Sequence, residues 1–215
     1  MARCDAYIVK TDAEGNLEWK KIFGVSAQDG VTSIQVTKDG GFIVAGATGE
    51  YGVNLDVYLV KIDVNGDIEW EKIFDVGAWD EAFSVQQTKD GGYIVAGFAT
   101  QSKKPEFDTY LIKTDANGNL EWNETFGGSG SDWALSVQQT RDGGYIVAGG
   151  HDFYLYLIKL SSEGYVPTEV KPTATQTLTE VTQTFTSTPT QQPKTSTPGF
   201  ETVFSVLGLL IAMYV

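Results

Sequence analysis

Twelve aspartates recur in register along this chain. Carboxylates are the side chains that hold hard divalent cations and that serve as general acids and bases. Asp5, Asp56 and Asp108 precede a strand pattern, and Asp12, Asp63 and Asp115 open a turn of the Asn-Gly kind. Asp29, Asp80 and Asp132 lie in a loop six residues after Phe23, Phe74 and Phe126, and Asp39, Asp90 and Asp142 open a Gly-Gly turn. An EF-hand loop needs glycine at its sixth position and a distant glutamate. Asp-x-Asn-Gly puts glycine at the fourth. The expectation is therefore that these aspartates fix turns, by bonding their own backbone two residues on. A cation site drawn from the group is the alternative, and the metal question stays open.

Other chemistries are poorly served. Glycoside hydrolysis would need two acids at a set separation with unequal pKa values, and nothing marks such a pair. A Ser-His-Asp triad would depend on His151, the only histidine, which reads as a surface-loop residue. Cys4 is the only cysteine, which excludes an intrachain disulfide and a multi-cysteine metal site. No glycine-rich phosphate loop precedes a helix. The net charge of −13 argues against nucleic acid as a partner. The chain is expected to be non-catalytic and to need no cofactor.

The elements that must position these residues come from internal repetition. DAYIVKTDAEGNLEWKKIF (5–23) returns as DVYLVKIDVNGDIEWEKIF (56–74) and DTYLIKTDANGNLEWNETF (108–126). Each copy is followed by a second block, VTSIQVTKDGGFIVAG, AFSVQQTKDGGYIVAG or ALSVQQTRDGGYIVAG. The period is 51 residues and then 52. Each unit reads as four short strands joined by hairpin turns, with the Asn-Gly pairs expected at positive φ. Four antiparallel strands repeating every 50 or so residues is the mark of a β-propeller blade. The fold class expected is all-β: about three four-stranded blades in an incomplete ring. The units are 5–55, 56–107 and 108–153, with a partial copy at 154–164, all within a repeat domain at 1–165. Trp19, Trp70 and Trp122 recur at one repeat position and are expected to pack between blades. The asymmetries noted are the Lys103-Lys104-Pro105 insert, the short loop at 150–153, and Tyr154 in place of aspartate.

The unit D-x-Y-L-[VI]-K-T-D-x-x-G-N-L-E-W, followed by S-V-Q-Q-T-x-D-G-G-Y-I-V-A-G, resembles repeats of archaeal and bacterial secreted surface proteins. Its first half is similar to quinoprotein-like propeller blades. The resemblance covers about residues 5–160 and implies a propeller in an extracellular setting, without implying an activity. Natural propellers have at least four blades. The chain is accordingly read as a fragment of a longer protein, and an open array would favour self-association through its unpacked blade faces. Asn123-Glu124-Thr125 forms a glycosylation sequon, which would make Asn123 an acceptor.

Composition changes after Gly164. Residues 166–198 are dominated by Thr, Pro and Gln and cannot bury a core, so they read as an extended, O-glycosylated stalk. The segment 199–215 ends in 13 uncharged residues, Val203–Val215, which as a helix span about 20 Å. A bilayer core needs about 30 Å. Thr-Pro-Gly-Phe-Glu before this apolar run resembles the archaeal PGF-CTERM tail. The resemblance implies Pro198, Gly199 and Phe200 as a sorting motif, an archaeosortase that removes the tail, and a lipid in its place. No Arg or Lys follows Tyr214-Val215, where that family carries a basic cluster.

Together these readings describe a cell-surface protein, membrane-anchored by its tail or a replacement lipid and facing outwards. Its expected role is adhesion, scaffolding or capture of a polysaccharide or protein ligand. The alternative is a surface enzyme acting on polysaccharide through propeller carboxylates.

Overall fold

The computed structural model describes residues 4–50, 52–100, 106–152 and 154–163. Among them there is no helix; thirteen strands form four antiparallel sheets. The first sheet pairs β1 (Ala6–Thr11) with β2 (Leu17–Phe23). The second runs in the order β3 (Gln28–Val36), β4 (Phe42–Glu50), β5 (Asn54–Ile62), β6 (Ile68–Phe74). The third repeats it with β7 (Asp80–Gln87), β8 (Tyr93–Thr100), β9 (Phe107–Thr114) and β10 (Leu120–Phe126). The fourth has three strands, β11 (Asp132–Gln139), β12 (Tyr145–His151) and β13 (Tyr154–Leu160).

Two expectations need correction. Each four-stranded sheet takes the second hairpin of one sequence repeat and the first hairpin of the next, because β4 pairs with β5 and β8 with β9. The sheets are therefore two strands out of phase with units 5–55, 56–107 and 108–153. The turns also differ. Only glycine reaches positive φ in them, at Gly15, Gly66 and Gly118 and at Gly40, Gly91 and Gly143. Asn65 and Asn117 do not. Gly66 N–H donates to Asp63 O (3.0 Å) and Asp63 N–H to Asp67 O (2.9 Å). That pattern is a three-residue loop closed by a glycine bulge.

Burial explains why the repeats stack. Along β5, Val57 to Ile62 are all buried, so both faces of this strand are covered. Val57 and Leu59 pack with Ile43 and Ala45 against Ala82, Val85 and Val95 of the third sheet. Tyr58 and Val60 point the other way, onto Ala6, Ile8 and Phe23 of the first sheet. Ile94, Ala96 and Leu111 in turn cover Ala134, Val137 and Val147 of the fourth sheet. Each fully buried side chain of this size contributes about 1.5–3 kcal/mol. The tryptophans bridge neighbouring sheets as edge-to-face pairs: Trp19 with Phe42 (5.9 Å), Trp70 with Tyr93 (5.6 Å) and Trp122 with Tyr145 (5.8 Å).

The S-V-Q-Q-T word has a structural task. β7 and β11 are edge strands, so the outer N–H groups of Val85, Gln87, Val137 and Gln139 face away from their own sheet's ladder. Side chains of the preceding sheet supply their acceptors. Val85 N–H donates to Ser33 Oγ (3.2 Å) and Gln87 N–H to Gln35 Oε1 (2.7 Å). Val137 N–H donates likewise to Ser84 Oγ (3.2 Å) and Gln139 N–H to Gln86 Oε1 (2.5 Å). Lys38 Nζ reaches Thr88 O and Lys89 O, and Lys89 Nζ reaches Thr140 O and Arg141 O.

Candidate functional site

The recurring lysine of Y-L-V-K organises one end of each complete sheet. Lys61 lies on β5 and is 3% exposed; its Nζ stands 3.0 Å from Asp39 and 2.8 Å from Glu69. Lys113 on β9 is 2% exposed and repeats the pattern with Asp90 (3.0 Å) and Glu121 (2.7 Å). Lys159 pairs with Asp142 (3.0 Å), and Lys10 with Glu18. Burial opposes the charge on Lys61 and Lys113, but the paired carboxylates outweigh it and hold both pKa values above the ordinary lysine range. The hydroxyl of Thr37, followed by Lys61, lowers Asp39 to about 2. Thr140 and Lys159 do the same for Asp142, also to about 2. Burial pushes Asp90 up, yet Thr88 and Lys113 leave it lowered. Asp39, Asp90 and Asp142 are thus held ionised and paired, as a clamp requires.

The turn aspartates bond their own loops. Asp12 Oδ1 accepts from Glu14 and Asn16 N–H, Asp63 Oδ1 from Asn65 and Asp67 N–H, and Asp115 Oδ1 from Asn117 and Asn119 N–H. Bonds from Asn16 lower Asp12, and bonds from Asn119 lower Asp115.

Asp29, Asp80 and Asp132 stand at the starts of β3, β7 and β11 rather than in the preceding loops, and all three are buried. Each anchors the loop before it. Asp29 accepts from Val25 and Ser26 N–H, Asp80 Oδ2 from Val76 (2.6 Å) and Gly77 (3.0 Å), and Asp132 Oδ2 from Gly128 (3.2 Å). The second oxygen differs between repeats. Asp29 Oδ1 receives the hydroxyl of Thr48, its cross-strand partner, and Asp132 Oδ1 faces His151 Nδ1 at 2.8 Å. Opposite Asp80 stands Ala99, whose side chain has no donor. Asp80 Oδ1 is buried without a hydrogen bond. Thr100 N–H lies nearby, but is committed to Trp79 O at 2.9 Å. Burial raises the Asp80 pKa, opposed by the N–H groups of Val76, Gly77 and Thr100.

An open depression between the second and third sheets is lined by Asp39, Lys61, Glu69, Trp70, Tyr93 and Asn117, among others. It brings an indole together with carboxylates, but both acids are held by Lys61. Asn123 of the sequon lies exposed on β10. His151 is half-buried and partnered by Asp132, not a free loop residue. Cys4 is exposed. The sorting residues Pro198, Gly199 and Phe200, the stalk, the apolar tail and the Lys103-Lys104-Pro105 insert lie outside the described residues. Among the described residues no helix is long and apolar enough to cross a membrane.

Sequence reasoning missed the lysine clamps. Their signal was present: a lysine recurring 22 or 23 residues after the Asp-Gly-Gly turn in the first two copies. It also missed the uneven surroundings of Asp29, Asp80 and Asp132, which a column-by-column comparison of the repeats reveals.

Residues 197–215 match the family described as PGF-CTERM motif. The motif defines an archaeal cell-surface protein, anchored at the membrane and facing outwards, with a tail that an archaeosortase processes. No curated protein matches the chain.

Proposed function

We propose that this chain is a non-catalytic surface protein for adhesion, scaffolding or ligand binding, and that its sheets stack as blades of an incomplete β-propeller. The match of residues 197–215 to the PGF-CTERM motif carries the surface role. The stacking of the second and third sheets through equivalent residues supports the blade arrangement. The acids of the clamps are each paired with a lysine, and Asp39 and Asp142 are lowered to about 2, which supports a structural role for these carboxylates. The Thr/Pro-rich segment 166–198 serves as the stalk.

The end faces support self-association. Leu155 and Leu157 occupy on β13 the places that Val57 and Leu59 hold on β5, as the pairings Gly149–Tyr156 and Gly46–Tyr58 align them. They are exposed, and so are Tyr7 and Val9 on the first sheet, which correspond to Tyr58 and Val60. One end thus offers the face that packs forward and the other the face that receives it.

The test is the intact mass of the protein from the envelope fraction of cells producing it, beside a Phe200→Ala variant. The expected result is loss of the residues beyond the Pro-Gly-Phe motif with added lipid or glycan mass, and retention of the tail in the variant. An unprocessed chain of 23.4 kDa in both would refute the sorting role of Pro198-Gly199-Phe200.

A further inference from the structure

We propose that Asp56, Asp75 and Asp80 form a binding site for a divalent cation of the Ca²⁺ class, between the second and third sheets. One carboxylate oxygen from each lies within 4.8 Å of the others. Asp56 is on β5, Asp75 directly follows β6, and Asp80 begins β7. Proximity of acids alone is common on a protein surface. The distinguishing observation is Asp80, which is 0% exposed and whose Oδ1 has no hydrogen bond. A buried carboxylate oxygen without a donor is costly, and a bound cation removes that cost.

Comparison of the repeats sharpens the assignment, because two departures from symmetry meet here. The donor that Thr48 gives Asp29, and that His151 offers Asp132, is replaced by Ala99. The residue after Phe23 and Phe126 is glycine, whereas Asp75 follows Phe74. Those glycines sit in tight quarters: a Cβ on Gly24 would stand 2.2 Å from Asp29 Oδ2, and one on Gly127 1.8 Å from Asp108 Oδ1. The middle junction has instead made room for a third carboxylate. One change removes a hydrogen-bond donor and the other adds a negative charge.

The electrostatics agree. Burial and then the Asp75 charge raise Asp56, and burial above all raises Asp80. Asn54 Nδ2 donates to Asp56 Oδ1 at 2.9 Å and keeps that acid oriented. The cluster offers only oxygen, the donor set of a hard cation. Three carboxylates leave positions for carbonyls or water, and Asp75 is exposed, so an ion has a path in.

The experiment uses the full chain stripped with a chelator. Thermal unfolding is followed with and without about 10 mM CaCl₂, a concentration chosen for the weak affinities of extracellular sites. Tb³⁺ luminescence sensitised by Trp79, the neighbour of Asp80, reports binding directly. The wild-type melting temperature should rise by about 5 °C. Asp75→Gly and Ala99→Thr each install what a flanking repeat carries, and both should abolish most of the rise and weaken Tb³⁺ binding about tenfold or more. Should Asp75→Gly fail to fold, Ala99→Thr decides alone. No Ca²⁺-dependent rise in the wild type, or an equal rise in Ala99→Thr or a folded Asp75→Gly, overturns the proposal. Neither result bears on the processing of the tail.

Discussion

Gly15, Gly66 and Gly118 occupy the same place in three equivalent turns, at φ +87°, +79° and +75°. Their surroundings differ because the turns meet different neighbours. A Cβ on Gly15 would meet nothing within 4 Å, while one on Gly118 would stand 2.7 and 2.9 Å from the Trp70 ring and 3.0 Å from Lys72 Cγ. Alanine at such a φ costs about 1 kcal/mol in either turn. Crowding Trp70 adds about 1–3 kcal/mol, since the indole must move against its contact with Tyr93. Gly15→Ala should therefore cost about 1 kcal/mol and Gly118→Ala about 2–4 kcal/mol. At roughly 2–4 °C per kcal/mol for a chain of this length, the melting temperature should fall by about 3 °C and about 5–12 °C respectively. Circular dichroism melts of the two variants beside wild type measure the difference. Equal losses would refute the claim that the turn of one sheet is pressed against the tryptophan of the sheet before it.

The remaining predictions concern the clamps. Lys113→Met keeps the buried stem but removes the ammonium from Asp90 and Glu121, both about half exposed and able to rehydrate. It should cost about 1–3 kcal/mol, read as a lower urea midpoint with an unchanged slope. Asp39 has a folded pKa of about 2, below its ordinary 3.8. Its stabilisation is thus present above pH 3.8 and lost as pH falls towards 2. Asp39→Asn should flatten stability against pH in that window, measured by urea unfolding between about pH 5 and 2.

Much of this fold is legible in the residues. The Y-L-V-K and Y-I-V-A-G words announce strands, and the Asp-x-x-Gly and Asp-Gly-Gly words announce hairpins. The strand pairing across hairpins is not, because a periodic sequence has no preferred starting point. The segments joining β2 to β3 and β4 to β5 are both short, so the repeat alone does not say which pair shares a sheet. The turn geometry misled in a different way. Asn-Gly suits a two-residue turn with both φ positive, but here the aspartate before it draws the backbone N–H groups two and four residues on, and only glycine turns left-handed. Lys61 and Lys113 look like surface lysines in an alternating strand. Their burial depends on one acid from their own hairpin, Glu69 or Glu121, and one brought in from the preceding hairpin turn, Asp39 or Asp90, a relation that composition does not carry. The Asp56–Asp75–Asp80 group is hidden for a similar reason: its signal is a missing threonine and a missing glycine, not a motif.

β13 is the last described strand before the segment that leads to the anchor. Load on such a tether reaches the repeat region from the C-terminal side of β13. That end is the best secured part of the strand. Leu160 is 3% exposed, whereas Leu155 at the far end is 99% exposed. The last rung of β13, Leu160 opposite Tyr145, stands beside the Lys159–Asp142 ion pair. A strand peeled from that side gives up its buried leucine and its charge pair before the exposed Leu155 end opens. The grip is placed where the load arrives.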